Sequence, residues 1–597
     1  MAAEEWSLAP AAETPSRRLE AVLGISGVLA RILCARGYTR PDDAAAYLRP
    51  SFDPASSAGF PGVAEAVAML RRAQRTGRNI AVYGDYDADG VIGTAILRAA
   101  LSRSGRRRGK PAPLVDYYIP DRSEEGYGLN RAAIYHLRHD RQVDLLLTVD
   151  CGIRGHSEVE YARSLGMQVI ITDHHLPPTG QLPPADAIVH PSPGGALGCC
   201  EDASSSLYGA RGEPCGALVA LYLAYGLLGE VEDAWLDLAT VATVADVVPL
   251  LGDNRGLVSE RLPRLAETRN LGLEKLIARA GLGGRSLSSR DVAFGIAPRI
   301  NAMGRVGDAK HAVEAFCTDL PIQALDLVER MEAHNHRRRQ LEDEMLDQAR
   351  QLLRLDQYPP GGTGLPDALV VERTGWYLGI VGIVAARLAR EVWRPAAVIA
   401  VDDGIGYGSG RSVPGCDLHQ AMSDCGPLLE RFGGHRQAVG FRLPASRIPD
   451  FAVALAESVR AQGRPARRLD IDALVDLHQV DGELVRELAR LEPVGQGNPA
   501  PVLGARHCQV VAARRVGADG SHLKLSVRQD GAIRDAIAFG QADQLAPICT
   551  RGAHIDLAFA PEINVYQGQS TIQLKVAAAR RSDGPAGADG SDTEAKA

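Results

Sequence analysis

Three apolar runs that each stop at an aspartate constrain the fold of this chain more than any other feature. "NIAVYGD" ends in Asp85, "VDLLLTVD" in Asp150 and "MQVIITD" in Asp173, with helical patterns such as "GVIGTAILRAALSR" between them. Short continuous apolar strands that alternate with helix-length segments predict an α/β domain, a parallel sheet with helices on its faces. The carboxyl ends of such strands share one edge, where doubly wound folds bind their ligands. Acids far apart in sequence therefore converge on one place.

The first of these runs opens "GDYDADG", with Asp85, Asp87 and Asp89 at alternate positions. Three carboxylates so close repel one another unless a positive charge lies between them, and a hard divalent cation fits that need. His174 and His175 come directly after Asp173, and Asp246 sits in "ATVADVVPL", where an unpaired buried carboxylate would be costly. Carboxylates with two imidazoles suit Mn²⁺ or Mg²⁺, two ions being the usual arrangement for phosphoric ester hydrolysis. Each acid alone has a structural reading, as a helix cap or an arginine's partner; together at strand ends they point to metal.

At 597 residues the chain exceeds one hydrophobic core, so several domains are expected. No signal peptide or membrane span is legible, and ten scattered cysteines without paired CxxC spacing indicate neither zinc nor a disulfide framework. A soluble, cytoplasmic protein is expected. The net charge of −7 argues against coating nucleic acid non-specifically and leaves room for a local basic groove. Residues 1–63 read as a helical cap packed on the neighbouring domain, 64–318, which carries the acids. Residues 319–358 form a long connecting helix, 359–462 a second α/β unit, 463–577 a small β-barrel and 578–597 a disordered tail. The basic stretch 102–113 and the Gly/Ser-rich stretch 193–214 read as surface insertions.

"GDYDADG", "TVDCGI", "ITDHH" and "ATVADVVPL" resemble the four successive motifs of the DHH phosphoesterase superfamily. Further strings, "IPDRSEEGYGLN", "IAPRINAMGRVGDA", "GYGSGRSVPGCDLHQAM", "ERFGGHRQAVGF" and "LEPVGQGNPAPV", extend the likeness to its single-strand-specific DNA exonucleases over nearly the whole chain. The resemblance implies a 5′ to 3′ exonuclease that releases 5′-mononucleotides from single-stranded DNA with Mn²⁺ or Mg²⁺. It implies Asp85, Asp87, Asp89, Asp150, His174, His175 and Asp246 as metal-site residues, Asp150 bridging and His175 either a ligand or a contact to the reacting phosphate, with Asp173 orienting an imidazole. The second α/β unit is then the DHH-associated domain, and the barrel is similar to an oligonucleotide-binding (OB) fold.

Arg122, Ser409 and Arg411 are implied as holders of a 5′-phosphate, and Gly433, Gly434 and His435 as a phosphate contact at the cleft. Arg299, Asn301 and Arg305 of "PRINAMGR" read as lining a narrow passage along the strand, with Arg299 on a ligand carboxylate as the competing reading. Lys524, Arg528 and Lys575 offer the barrel a basic face, whereas Arg337 to Arg339 read as a solvated helix face. Tyr377 stands where the family usually has histidine. The rival readings are a DHH oligoribonuclease or cyclic-dinucleotide phosphodiesterase, or an inactive DNA-binding scaffold. The family also implies a RecQ-type helicase and a single-strand-binding protein as partners of a monomer.

Overall fold

The computed structural model describes residues 5–582 apart from 11, 107–114, 123, 179, 193–211, 359–363, 464–466 and 567–568. Most of the two expected insertions lies outside the described residues, as does the expected tail from 583 on; its first residues, 578–581, are not disordered but end the last strand, where they pair with the preceding one. Two compact units make up the chain, one of residues 50–467 with 495–497, the other of 4–49, 468–494 and 498 onward.

In the first unit, strands β1 (Ile80–Tyr83), β2 (Val115–Tyr118), β3 (Leu145–Thr148), β4 (Gln168–Thr172) and β5 (Ala187–Val189) form a wholly parallel sheet in the order β2-β1-β3-β4-β5. β1 and β3 are buried throughout, which is why their sequences are continuous apolar runs rather than alternating ones. Helices α1 (Ala88–Arg106), α2 (Gly216–Leu228) and α3 (Asp233–Ala245) pack in the same hydrophobic core as β1 and β3. Helix α4 (Ala297–Val306) leads on to α5 (Pro321–Leu352), the connecting helix, of 32 residues.

Behind α5 comes a second core. Strands β6 (Leu369–Thr374), β7 (Ala396–Asp402), β8 (Ile405–Arg411), β9 (Arg431–His435) and β10 (Ala438–Pro444) form a mixed sheet ordered β9-β10-β8-β7-β6. Only β6 and β7 run parallel, joined by α6 (Leu378–Val392).

In the second unit, strands β11 (Ala473–Leu474), β12 (Leu503–Val516), β13 (His522–Gln529), β14 (Ala532–Ala538), β15 (His554–Tyr566) and β16 (Gln569–Arg581) form one sheet. Pairing of β12 with β15 closes it into a five-stranded barrel. Of the expected cap, residues 50–63 do pack in the first unit, with Phe52 and Phe60 in its core, but the helices before them belong here and not with the domain next to them in the chain. Strand Glu5–Leu8 pairs with Arg468–Ile471, and Asn498 Oδ1 accepts hydrogen bonds from Arg36 Nη1 and Tyr47 Oη, both at 2.6 Å. These contacts link residues more than 450 positions apart, which local periodicity cannot register.

Candidate metal centre

The loop after β1 is tied by its own acids. Asp87 Oδ1 accepts the N–H groups of Asp89 (2.9 Å) and Gly90 (3.1 Å) at the start of α1. Asp89 reaches the start of α2, where its two oxygens accept the N–H groups of Gly216 (2.5 Å) and Ala217 (2.8 Å). Position 216 has to be glycine for this approach, because a Cβ there would lie 2.7 Å from Asp150 Cβ and 2.9 Å from Asp89 Oδ2.

Asp150 comes after β3 with φ +59°, and its N–H continues the ladder onto Thr172 O at 3.0 Å. The left-handed turn is tolerated by Asp better than by most residues. The Asp150 carboxylate meets His174, whose Nε2 lies 3.1 Å from Asp150 Oδ1, 3.6 Å from Asp246 Oδ2 and 3.8 Å from Asp89 Oδ2. Asp246 arrives from elsewhere, as the C-cap of α3. Asp173 stands behind: Oδ1 accepts the N–H groups of His174 (2.8 Å) and His175 (3.1 Å) and lies 2.8 Å from His175 Nδ1, while Oδ2 accepts the Ile153 N–H at 2.9 Å. Tyr127, which the sequence reading did not single out, donates to Asp150 O and lies 3.1 Å from His175 Nδ1. Its place is fixed by tertiary folding alone.

Asp85 Oδ1, Asp150 Oδ1, Asp246 Oδ2 and His174 Nε2 are buried without a hydrogen-bond partner among the described residues. His174 and Asp150 are near enough to bond and are not aligned to do so. A spacing of about 3 Å is what neighbouring donors adopt around one small cation at 2.0–2.2 Å. Three overlapping sets, Asp85/Asp87/Asp150, Asp89/His174/Asp246 and Asp150/His174/His175, each gather one donor atom apiece within 4.8 Å. The residues therefore fit a divalent ion with oxygen and imidazole ligands.

Electrostatics agrees with the geometry. Burial, and then repulsion from neighbouring acids, raises Asp85, Asp150 and Asp246 well above the carboxylate range, and burial with Asp87 lifts Asp89 to about 6. Burial, then His175, lowers His174 to about 3, so its ring is neutral and has a lone pair to give. For Asp173, burial is outweighed by the hydrogen bond and charge of His175, and its carboxyl is held below the usual range.

Beside Asp85 lies a group of cations. Arg305 Nη1 donates to Gly379 O near the start of α6, Arg411 Nη1 donates to Ser409 Oγ at 2.8 Å, and Arg122 stacks on Tyr86 at 5.0 Å. A Cβ on Gly382 would meet Arg411 Nη2 at 2.9 Å and Ser409 Oγ at 3.1 Å, so both side chains lie against the first turns of α6. Burial, then Arg122, Arg338 and Arg411, lowers Arg305 to about 10. None of Arg122, Arg305 and Arg411 is bonded to a carboxylate among the described residues. Unneutralised cations at the N-terminus of α6 have the chemistry to take an anion. His435, after Gly433 and Gly434, feels Arg154 and His175, which with burial lower its pKa.

Other expected contacts are engaged elsewhere. Arg299, 8% exposed, bonds Glu332 and Gly295 O, so its carboxylate partner lies on α5 and not in the metal set. Asn301 Oδ1 accepts the Ala88 N–H at 2.7 Å and so braces the Asp87 loop. Arg338 is not solvated: it bonds Glu342 at 2.6 Å and Asn335. In the barrel, register places Arg514, Lys524 and Lys575 in one row, Lys524 lying 3.8 Å from Asp535.

A parallel sheet whose strand ends deliver acids and paired histidines, succeeded by a mixed sheet bearing arginines, defines a DHH-type phosphoesterase. The DHH family N-terminal domain matches residues 79–243, the DHHA1 domain 366–461 and the RecJ OB domain 471–578. The chain belongs to the RecJ family of single-stranded-DNA-specific exonucleases. It is 32% identical to the Bacillus subtilis RecJ (96% of this chain, 70% of the relative) and 35% identical to that of Thermus thermophilus (96% and 78%). With the Escherichia coli enzyme it shares 33% identity over 86% of this chain and 89% of the relative. The crystal structure of Thermus thermophilus RecJ in complex with Mn²⁺ aligns with a TM-score of 0.80 at 31% identity, covering 97% of this chain and 80% of that one; the Mg²⁺ complex gives 0.74.

Proposed function

We propose that this chain hydrolyses single-stranded DNA from its 5′ end, releasing 5′-mononucleotides, in recombination and repair. The observation that carries this reading is the set of four buried, unpartnered donor atoms on Asp85, Asp150, His174 and Asp246 beside arginines that no carboxylate neutralises among the described residues. One set is built for cations and the other for an anion, and a phosphoester needs both.

Asp85, Asp87, Asp89, Asp150, His174, His175 and Asp246 would hold Mn²⁺ or Mg²⁺, which supplies Lewis acidity and a water acidic enough to attack at neutral pH. Asp173, bonded to His175 Nδ1, and Tyr127, edge-on to the ring, fix His175 from behind. Arg122, Arg305 and Arg411, with Ser409 and the α6 N-terminus, take the terminal 5′-phosphate and so set where the chain is cut. His435 reaches the reacting phosphate from β9. The row of Arg514, Lys524 and Lys575 draws the strand to the barrel through its backbone, so affinity falls with salt.

The strand must be opened before it is degraded, so a RecQ-type helicase and a single-strand-binding protein are the partners this reading calls for, with the enzyme itself a cytoplasmic monomer. No described helix is long and apolar enough to cross a membrane. A DHH enzyme for short oligoribonucleotides or cyclic dinucleotides has no use for a barrel with a basic row.

The test is digestion of a 5′-phosphorylated single strand, labelled at either end, with Mn²⁺, with EDTA, and with the Asp150→Ala variant. Mononucleotides should leave the 5′ end and disappear in both controls. Binding without cleavage under every condition would instead leave an inactive scaffold.

A further inference from the structure

The loops after β3 and β4 are laced together twice. Asp173 Oδ2 accepts the Ile153 N–H at 2.9 Å, and one residue on, Arg154 Nε donates to Leu176 O at 2.8 Å. Leu176 is the residue after His175, so the second bond anchors the Arg154 side chain at the rim of the metal centre. The guanidinium is exposed, and its two terminal nitrogens have no protein partner among the described residues. Arginine with Nε fixed and both Nη free presents a planar fork, the geometry that grips a phosphate.

Its position relative to the other cations matters. Arg122 acts on Asp85, at the end of the centre formed by the β1 loop. In the sheet order β2-β1-β3-β4-β5, Arg122 follows β2 on one side of the β1 loop, whereas Arg154 and Leu176 follow β3 and β4 on the other, and the Arg154 charge acts on the His435 ring. Positive charge thus stands on both sides of the Asp85 loop. An extended strand that places its 5′-phosphate on Arg122, Arg305 and Arg411 and its scissile phosphodiester on the acids carries its next phosphodiester toward Arg154.

We propose that Arg154 forms a second anion subsite that holds the phosphodiester on the 3′ side of the scissile bond, next to the phosphate that His435 reaches. This rests on the nuclease reading for its assignment along the strand. The subsite makes binding depend on a third phosphate, so strands of three or more nucleotides gain over a dinucleotide.

The test uses full-length Arg154→Gln and Arg154→Lys. Steady-state kinetics compare a 5′-phosphorylated dodecamer with a 5′-phosphorylated dinucleotide, whose two phosphates are the terminal and the scissile one. Arg154→Gln should raise KM for the dodecamer about tenfold with kcat within twofold, and leave the dinucleotide unchanged. In EDTA, the slope of log affinity against log salt for the uncleaved dodecamer should fall by about 0.7, and Arg154→Lys should restore it. An equal loss of kcat on both substrates with an unchanged slope would overturn the proposal and make Arg154 a brace for the Leu176 loop. No change in either measurement would overturn it as well. Because the slope is read without cleavage, a wild-type protein inactive on both substrates that still shows the drop would sink the nuclease reading and leave the anion subsite standing.

Discussion

His174 Nε2 lies 3.1 Å from Asp150 Oδ1, and the two atoms share no hydrogen bond. A neutral imidazole and a buried carboxylate left in that relation converge on a common point without contacting each other productively. Asp150→Asn keeps the side-chain shape and the left-handed backbone, since Asn also tolerates positive φ. It should weaken Mn²⁺ binding, measured by calorimetry, and lower the cleavage rate by about 100-fold or more while the circular dichroism spectrum is unchanged.

Two acids of the same centre should behave in opposite ways when the metal is absent. Asp89 accepts two helix N–H groups at α2, so Asp89→Ala strands both and should lower the stability of the catalytic unit by about 2 kcal/mol. Asp246 Oδ2 bonds nothing among the described residues, and Asp246→Asn removes only repulsion. Thermal melts in EDTA should show the first variant melting below wild type and the second at or above it.

The pH dependence of the metal-free protein is set by the same acids. Asp89 is raised from 3.8 to about 6, so the folded state takes up a proton that the unfolded state has already lost. Its contribution is complete below pH 4 and is lost as pH rises through 6, with Asp85, Asp150 and Asp246 continuing in the same direction. In EDTA the melting temperature should therefore be higher at pH 6 than at pH 8. Mn²⁺ should reverse that order, because protons compete with the ion for these oxygens.

Arg411 and Arg122 should govern the chemical state of the strand end. With Arg411→Gln, the ratio of kcat/KM for a 5′-phosphorylated strand to that for a 5′-hydroxyl strand should drop about 10–100-fold, the scale of one charge-assisted hydrogen bond. Equal losses on both strands would assign Arg411 to the fold and not to the phosphate.

Asp85, Asp150 and Asp173 were legible from sequence because each follows a strand of a parallel sheet, where period and residue type coincide. Asp246 could be seen to need a partner, although not that it caps a helix. The "PRINAMGR" residues do not share one face: on α4, Asn301 and Arg305 are one turn apart, whereas Arg299 lies about 200° around from Asn301 and turns to Glu332, an orientation the string alone does not give. Tyr127 lies in the quoted string "IPDRSEEGYGLN" and Arg154 just after "TVDCGI", yet only the pairing of distant loops shows that their side chains reach the centre. The affiliation of the N-terminal helices depends on a two-strand pairing between residues 5–8 and 468–471, beyond any window of sequence.

The double duty of Asp89 bears on how such a domain could evolve. An acid that both belongs to the candidate metal set and pins a helix cannot be discarded without unseating α2. Asp246 and Asp150 carry no comparable architectural debt. A descendant that gave up hydrolysis and kept its shape would shed those two first, leaving Asp89 as a relic of chemistry no longer performed.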